Sequence, residues 1–236
     1  HWYDYNKRIL PWRENKDPYR IWISEIMLQQ TRVEAVKPYF DRFMEVLPTV
    51  YDLAKVDDDR LMKLWEGLGY YNRARNLKAA AQTIVEEYGG QLPADYDKLL
   101  SLKGIGMYTA GAIGSIAFEL QVPAVDGNVL RVISRITEDR QDIMKQSVRR
   151  QIEENLLGIM PEETPGDFNQ ALMELGAVVC VPNGPARCEA CPVSEYCLAY
   201  RHGTVEELPV KAPKKERILQ NLSLIHISEP TRQAES

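Results

Sequence analysis

Leu99-Leu100-Ser101-Leu102-Lys103-Gly104-Ile105-Gly106-Met107-Tyr108 is the stretch on which the reading of this chain turns. An apolar pair opens it, and a small-residue helical pattern over 108–118 follows it. Two glycines flanking one apolar residue let a backbone turn tightly and approach another group closely. At the start of the next helix the outward amides then suit a phosphate. An ordinary helix–helix turn has the same look. What singles this one out is its position, because an acid, Asp126, follows 20 residues later in Val125-Asp126-Gly127-Asn128-Val129. Lys103, Gly104 and Gly106 are the candidate phosphate contacts.

Outward from this hairpin the chain reads as helices. Asp17 is a capping residue and Pro18 suits a first turn, so a helix runs from there through Leu28. The acids at 57–59 cap a second, in which Leu61, Leu64 and Trp65 lie at helical spacing, ended by Gly67-Leu68-Gly69. The pattern predicts further helices over 75–88, stopped by Gly89-Gly90, and over 128–136, 147–160 and 168–179. No segment alternates as a strand would. Many helices on short connections imply an all-α fold.

The 236 residues carry a formal net charge of −5, which argues against a uniformly basic surface. The charges are unevenly spread. Lys7, Arg8, Arg13, Lys16, Arg20 and Arg32 gather early, and Arg73, Arg75, Lys78 and Lys103 follow, while Asp57–59, Glu86–87 and Glu162–163 are acidic. A local basic face and a mixed solvated surface both fit. No run of about 18 apolar residues marks a membrane span, and no signal-peptide pattern opens the chain. His1 is not a natural start, so a longer native N-terminus is expected. Residues 209–217, rich in Pro and Lys, read as part of a linker over 209–221. Residues 222–232, LSLIHISEPTR, resemble a translated sequencing-library adaptor. The expectation is a native chain cut near Asn221, with 222–236 as read-through.

All four cysteines, Cys180, Cys188, Cys191 and Cys197, fall within 18 residues as C-x7-C-x2-C-x5-C. In a chain without a secretion signal such crowding points to a metal or cluster site more than to disulfides. Zinc ribbons pair two C-x2-C knuckles, and only one is present here. An uneven, compact run fits a [4Fe–4S] cluster better, with zinc and free thiols as the alternatives.

Two carboxylates stand in apolar settings. Glu25 lies inside Ile21-Trp22-Ile23-Ser24-Glu25-Ile26-Met27-Leu28, where partial desolvation would raise its pKa and suit a general acid; a surface Glu on an amphipathic helix is the plainer alternative. Asp126 precedes a helix and reads equally well as its N-cap. Together they could divide the cleavage of a glycosidic bond, one protonating the leaving group and one stabilising an oxocarbenium-like sugar.

LKGIG at 102–106, VDGN at 125–128 and the four-cysteine run, taken together, resemble the helix-hairpin-helix glycosylases of the endonuclease III superfamily, over nearly all of 2–208. LPWR at 10–13, SEIMLQQTRV at 24–33, WEGLGYYNRARNL at 65–77 and FNQALMELGA at 168–177 look like the MutY adenine glycosylases within it. The resemblance implies a six-helix barrel domain with the hairpin over 19–135, and an iron–sulphur domain built from 1–18 and 136–208. It implies a monomeric enzyme of base-excision repair in the bacterial cytoplasm, at the nucleoid. The substrate would be double-stranded DNA carrying adenine opposite 8-oxoguanine or guanine.

By the same resemblance Glu25 protonates adenine and Asp126 stabilises the oxocarbenium ion, with Tyr108 and Asn128 in support. Arg8 and Gln170 line the adenine pocket, and Arg13 belongs to the DNA-binding set. Leu28, Gln29, Gln30 and Thr31 contact the mispair, and Tyr70 is a wedge beside it. The four cysteines hold a [4Fe–4S] cluster. Tyr108 occupies the place where the bifunctional branch has a lysine, and Tyr forms no Schiff base, so a monofunctional enzyme is expected. Two departures stand out. The first cysteine loop is x7 where the family usually has x6, and the family's C-terminal Nudix-like domain would begin where this chain stops, which predicts poor discrimination of the opposite base. A thymine-glycol or T:G glycosylase is the competing enzyme, and a non-catalytic DNA-binding module with a zinc knuckle is the competing non-enzyme.

Overall fold

In the computed structural model, which describes residues 2–212, a short helix α1 (Trp2–Asn6) and a 3-10 turn (Pro11–Arg13) lead into α2 (Pro18–Leu28). Asp17 caps α2 as its sequence predicts, accepting from the Tyr19 amide at 2.9 Å. Eight consecutive or near-consecutive side chains of α2, from Tyr19 to Met27, are buried, so this helix is apolar on almost every side and runs through the core. Helix α3 (Val33–Val46) packs on it, and α5 (Asp58–Trp65) joins α3 to α6 (Asn72–Tyr88), which packs along α4 (Val50–Lys55). Trp22, Phe40, Phe43 and Trp65 are fully buried where they meet.

The hairpin joins α7 (Tyr96–Ser101) to α8 (Met107–Phe118). Leu102 and Ile105 bury their side chains and hold the turn to the core, while Gly104 takes φ +83°. A side chain there would also meet the Cβ of Asn76 at 2.7 Å, so glycine is required twice over. After α8 an extended segment leads to α9 (Gly127–Ile136), then α10 (Gln146–Leu157) and α11 (Pro165–Val178). A second core of Val125, Val129, Leu130, Ile143, Val148, Ile152 and Leu156 joins α9 to α10. A third, Val132, Leu175 and Val179, reaches Trp2 of α1 and the cysteine segment, which ends in α12 (Leu198–His202).

The described residues contain no strand, and the all-α expectation holds. Several helix ends differ from the sequence reading. α6 begins three residues early, at Asn72, and α10 stops at Leu157, just ahead of Gly158. α3 was not legible, because Pro38 in its second turn removes an amide from the ladder and reads as a breaker. Residues 209–212, within the segment read as a linker, lie against the body: the Ile143 amide donates to the Val210 carbonyl at 3.1 Å, and the Ala212 amide to Asp142 at 3.2 Å. Residues 213–236, and with them the adaptor-like tail, lie outside the described residues.

Candidate active site

Helices α2, α8, α9 and α11 meet around a cavity of about 570 Å3. Arg8, Arg13, Glu25, Leu28, Gln29, Gln30, Thr31, Tyr108, Asp126, Asn128 and Gln170, eleven of the residues singled out in the sequence, line it. Close packing of the helices creates this convergence. Gly176 of α11 lets Asn128 press against its backbone; a Cβ at 176 would fall 2.6 Å from that of Asn128. Asn169, fully buried on α11, accepts from the Ala124 amide at 3.1 Å and donates to Ser115 of α8 at 2.8 Å and to the Val122 carbonyl at 2.9 Å. It therefore fixes the segment that delivers Asp126.

Glu25 is only 7% exposed. Burial pushes its carboxyl up to about 7, partly opposed by one hydrogen bond: the Tyr108 hydroxyl donates to Oε2 at 2.6 Å. The nearby Asp126 charge adds to the rise. A carboxyl with this proton affinity is substantially protonated at neutral pH, as a general acid must be. Burial and the same carboxylates raise the Tyr108 phenol well above its usual range, so it stays a donor and is no nucleophile.

Asp126 is the N-cap of α9 and also lines the cavity. Its Oδ1 caps α9 by accepting from the Val129 amide at 2.8 Å, while Oδ2 accepts from the Asn128 amide group at 2.7 Å. Burial raises its pKa, and these hydrogen bonds and the Arg131 charge oppose the rise. A guanidinium charge favours each ionised carboxylate, Arg13 for Glu25 and Arg131 for Asp126, but Glu25 has one side-chain donor where Asp126 has the Val129 amide and the Asn128 side chain, so the ionised form is better supported at Asp126. Arg131 donates to the Asn128 Oδ1 at 2.8 Å, to the Gly176 carbonyl at 2.7 Å and to the Cys180 carbonyl at 2.7 Å, which ties Asn128 to the first cysteine.

Glu174 was not legible as a site residue, although it stands in an apolar helix much as Glu25 does. It is fully buried and holds both early arginines. Arg8 reaches it at 2.6 and 3.1 Å in a two-pronged pair, and Arg13 at 2.9 Å. Burial would raise the Glu174 carboxyl, but the Arg8 hydrogen bond and the two guanidinium charges outweigh it and hold the pKa below the usual range. The arginines are thus fixed at the mouth of the cavity.

Four expected contacts lie away from that cavity. Tyr70 is 65% exposed on the loop before α6, at φ +47°. Lys103, Gly104 and Gly106 are exposed at the hairpin, with Gly106 as the N-terminal flank of α8.

The four cysteine side chains line one small cavity walled by Val132, Ile136, Leu175, Val179 and Val193. Arg135 donates to the Cys180 sulphur at 3.2 Å, and the Cys197 sulphur approaches the Arg135 carbonyl at 3.4 Å. Burial, with the neighbouring thiols, raises the thiols of Cys188 and Cys191. Among the described residues no three of His, Cys, Asp or Glu form a group that could hold one metal ion. Four sulphurs line this one apolar cavity with an arginine beside them, a donor set that fits a group held through thiolates.

Residues 23–157 match the family model described as HhH-GPD superfamily base excision DNA repair protein. The chain belongs to this superfamily. It is 44% identical over 220 residues to the adenine DNA glycosylase of Mus musculus, covering 88% of this chain and 42% of that protein. To the adenine DNA glycosylase of Buchnera aphidicola subsp. Schizaphis graminum it is 38% identical over 219 residues, covering 91% of this chain and 62% of the other. It therefore spans between about two fifths and three fifths of the length of such relatives. Among solved structures, a thermostable thymine-DNA glycosylase superposes with a TM-score of 0.76 at 32% identity, covering 85% of this chain and 92% of that one. A trapped endonuclease III–DNA covalent intermediate gives 0.72 at 26%, covering 85% and 91%. No helix among the described residues is long and apolar enough to cross a membrane.

Proposed function

We propose that this chain excises adenine from A:8-oxoguanine and A:G mispairs in double-stranded DNA, without cutting the strand, as a monomer of the bacterial cytoplasm and nucleoid. The observation that carries the reading is the buried Glu25, its carboxyl raised to about 7, facing the same cavity as Asp126 and Asn128 with Tyr108 bonded to it. Its relatives' shared name as adenine DNA glycosylases supplies the base.

A stacked base hides its glycosidic bond, so the adenine must leave the duplex and enter the cavity. Glu25 donates its proton to N7. The C1′–N9 bond then breaks with its electron pair passing to the base, which departs neutral. The Asp126 carboxylate offsets the positive charge left on the sugar. Water adds to C1′, and the Glu25 carboxylate, hydrogen-bonded to Tyr108, takes the proton released. Asn128 orients Asp126, and Arg8 and Gln170 line the base. Leu28, Gln29, Gln30 and Thr31 face the mispair, Tyr70 fills the gap, and Lys103, Gly104, Gly106 and Arg13 serve the DNA backbone. Cys180, Cys188, Cys191 and Cys197 would hold a [4Fe–4S] cluster; when bound, it cross-links the segment between α11 and α12, and hydrolysis draws no electron from it. The reading also divides the chain into a barrel domain at 19–135 and a cluster domain from 1–18 and 136–208.

The test is product analysis. An A:8-oxoguanine duplex should release free adenine and leave a strand that breaks only after alkali; breakage without alkali would overturn the monofunctional assignment. A second reading, a thymine glycosylase, draws on the likeness to the thymine-DNA glycosylase structure; the same assay on T:G and thymine-glycol duplexes separates the two.

A further inference from the structure

Arg73, in the first turn of α6, serves two loops that are far apart in sequence. Its Nη1 donates to the carbonyls of Ile26 and Gln29 at 2.7 Å and of Met27 at 3.2 Å. Its Nη2 donates to the carbonyls of Leu68 at 2.9 Å and Gly69 at 3.3 Å. Helix α2 has no basic residue in its own last turn, so this guanidinium caps its C-terminal carbonyls from outside. The guanidinium also lies over the rings of Trp65 and Tyr70, at 5.4 and 5.6 Å. Each loop it grips carries a non-glycine residue in the left-handed region, Gln30 at φ +60° and Tyr70 at φ +47°. Such conformations persist where surrounding contacts over-determine them, and Arg73 supplies contacts to both. A planar fork can serve two sets of carbonyls at once; an ammonium is a point donor.

We propose that Arg73 is a positioning residue that locks the Gln29–Gln30–Thr31 turn and the Tyr70 loop into one rigid edge, so that the mispair contact and the wedge engage DNA together. The inference rests on the functional reading above, because it takes that turn and Tyr70 to touch DNA. Arg73 itself is spent on protein carbonyls and acts through them.

The experiment uses the full chain and a duplex with a non-cleavable 2′-fluoro-deoxyadenosine opposite 8-oxoguanine, with 2-aminopurine beside the 8-oxoguanine. Wedge insertion unstacks the fluorophore and raises its emission. Arg73→Met should lose most of that rise, and on cleavable duplex single-turnover excision should fall by about tenfold or more, as expected for a misplaced binding edge. Affinity for undamaged duplex and helical circular dichroism should stay close to the original, and Arg73→Lys should recover part of the rise. A full rise in Arg73→Met overturns the proposal, as does a loss matched by equal losses of duplex affinity and helicity. Should Arg73→Met not fold, Arg73→Lys decides: a reduced rise supports the proposal, and an undiminished one overturns it. If the unsubstituted chain raises the emission but releases no adenine, the functional reading fails while this inference stands. If it gives no rise at all, the inference itself falls.

Discussion

Replacing Glu25 by Gln should make the protein inactive and, above neutral pH, more stable. The folded carboxyl titrates at about 7 against an ordinary 4.5, because the buried site resists its ionised form. Between those values the folded state holds a proton that the unfolded state has released, so stability falls as pH rises and the loss is complete above about 7. At 1.36 kcal/mol per unit, the loss is about 3 kcal/mol. A neutral amide escapes it. Gln can still accept from the Tyr108 hydroxyl, but it adds an amino group that needs a partner in a buried site, at a cost of about 1–2 kcal/mol. The variant should therefore be about 1–2 kcal/mol more stable than the original at pH 8, and less stable by about 1 kcal/mol or less at pH 5. Urea unfolding followed by circular dichroism at both pH values measures the difference, and the contribution of the cysteine site is common to both proteins. A stability difference that does not change between pH 5 and pH 8 would show that Glu25 has an ordinary proton affinity and would remove the basis for its role as acid.

Three further substitutions separate roles that the geometry entangles. Tyr108→Phe deletes the hydroxyl that favours the ionised Glu25, so the alkaline limb of the excision pH–rate profile should move to higher pH; a limb that stays or moves down would contradict the hydrogen bond. Asp126→Asn keeps an oxygen that caps α9 but turns its amino group toward the Asn128 amino group, so stability should fall by about 1–2 kcal/mol. Excision should fall by about a hundredfold or more for want of the anion, and thermal melts beside single-turnover rates will show whether the cap and the chemistry part in this way. Glu174→Gln leaves Arg8 and Arg13 around a neutral amide in a buried site, which should cost about 3 kcal/mol or more; a loss below about 1 kcal/mol would mean that the triad is looser than the distances imply.

The residues that line the cavity were legible where they sit in short local patterns. Glu25 inside an apolar helix and Asp126 ahead of a helix each carry their own signal, and the resemblance supplied Tyr108, Asn128, Gln170 and the Gln29–Thr31 turn. What escaped was the support. Glu174 meets Arg8 across 166 positions and Arg73 meets Ile26 across 47, and nothing local tells a buried acid bearing two arginines from a surface one. Asn169 reads as one polar residue in a helix until the Ala124 amide and Val122 carbonyl are seen beside it. Among the helices, the short α1, α4, α7 and α12 gave too few turns to show a period, and in the long α3 Pro38 masked the apolar spacing of Val36, Phe40, Phe43 and Met44. The net charge of −5 also said little about the site, since the arginines at the cavity mouth are bound by a buried acid.

The central claim is that the cavity between α2, α8, α9 and α11 removes adenine. Single-turnover base release from otherwise identical duplexes carrying A:8-oxoguanine, A:G, T:G and thymine glycol tests it most directly. Adenine release from the first two, declining as pH rises through about 7, with no thymine or thymine-glycol release, is the predicted result. Faster release of thymine or thymine glycol than of adenine, or no release from any duplex by a folded chain with its four cysteines loaded, would contradict it.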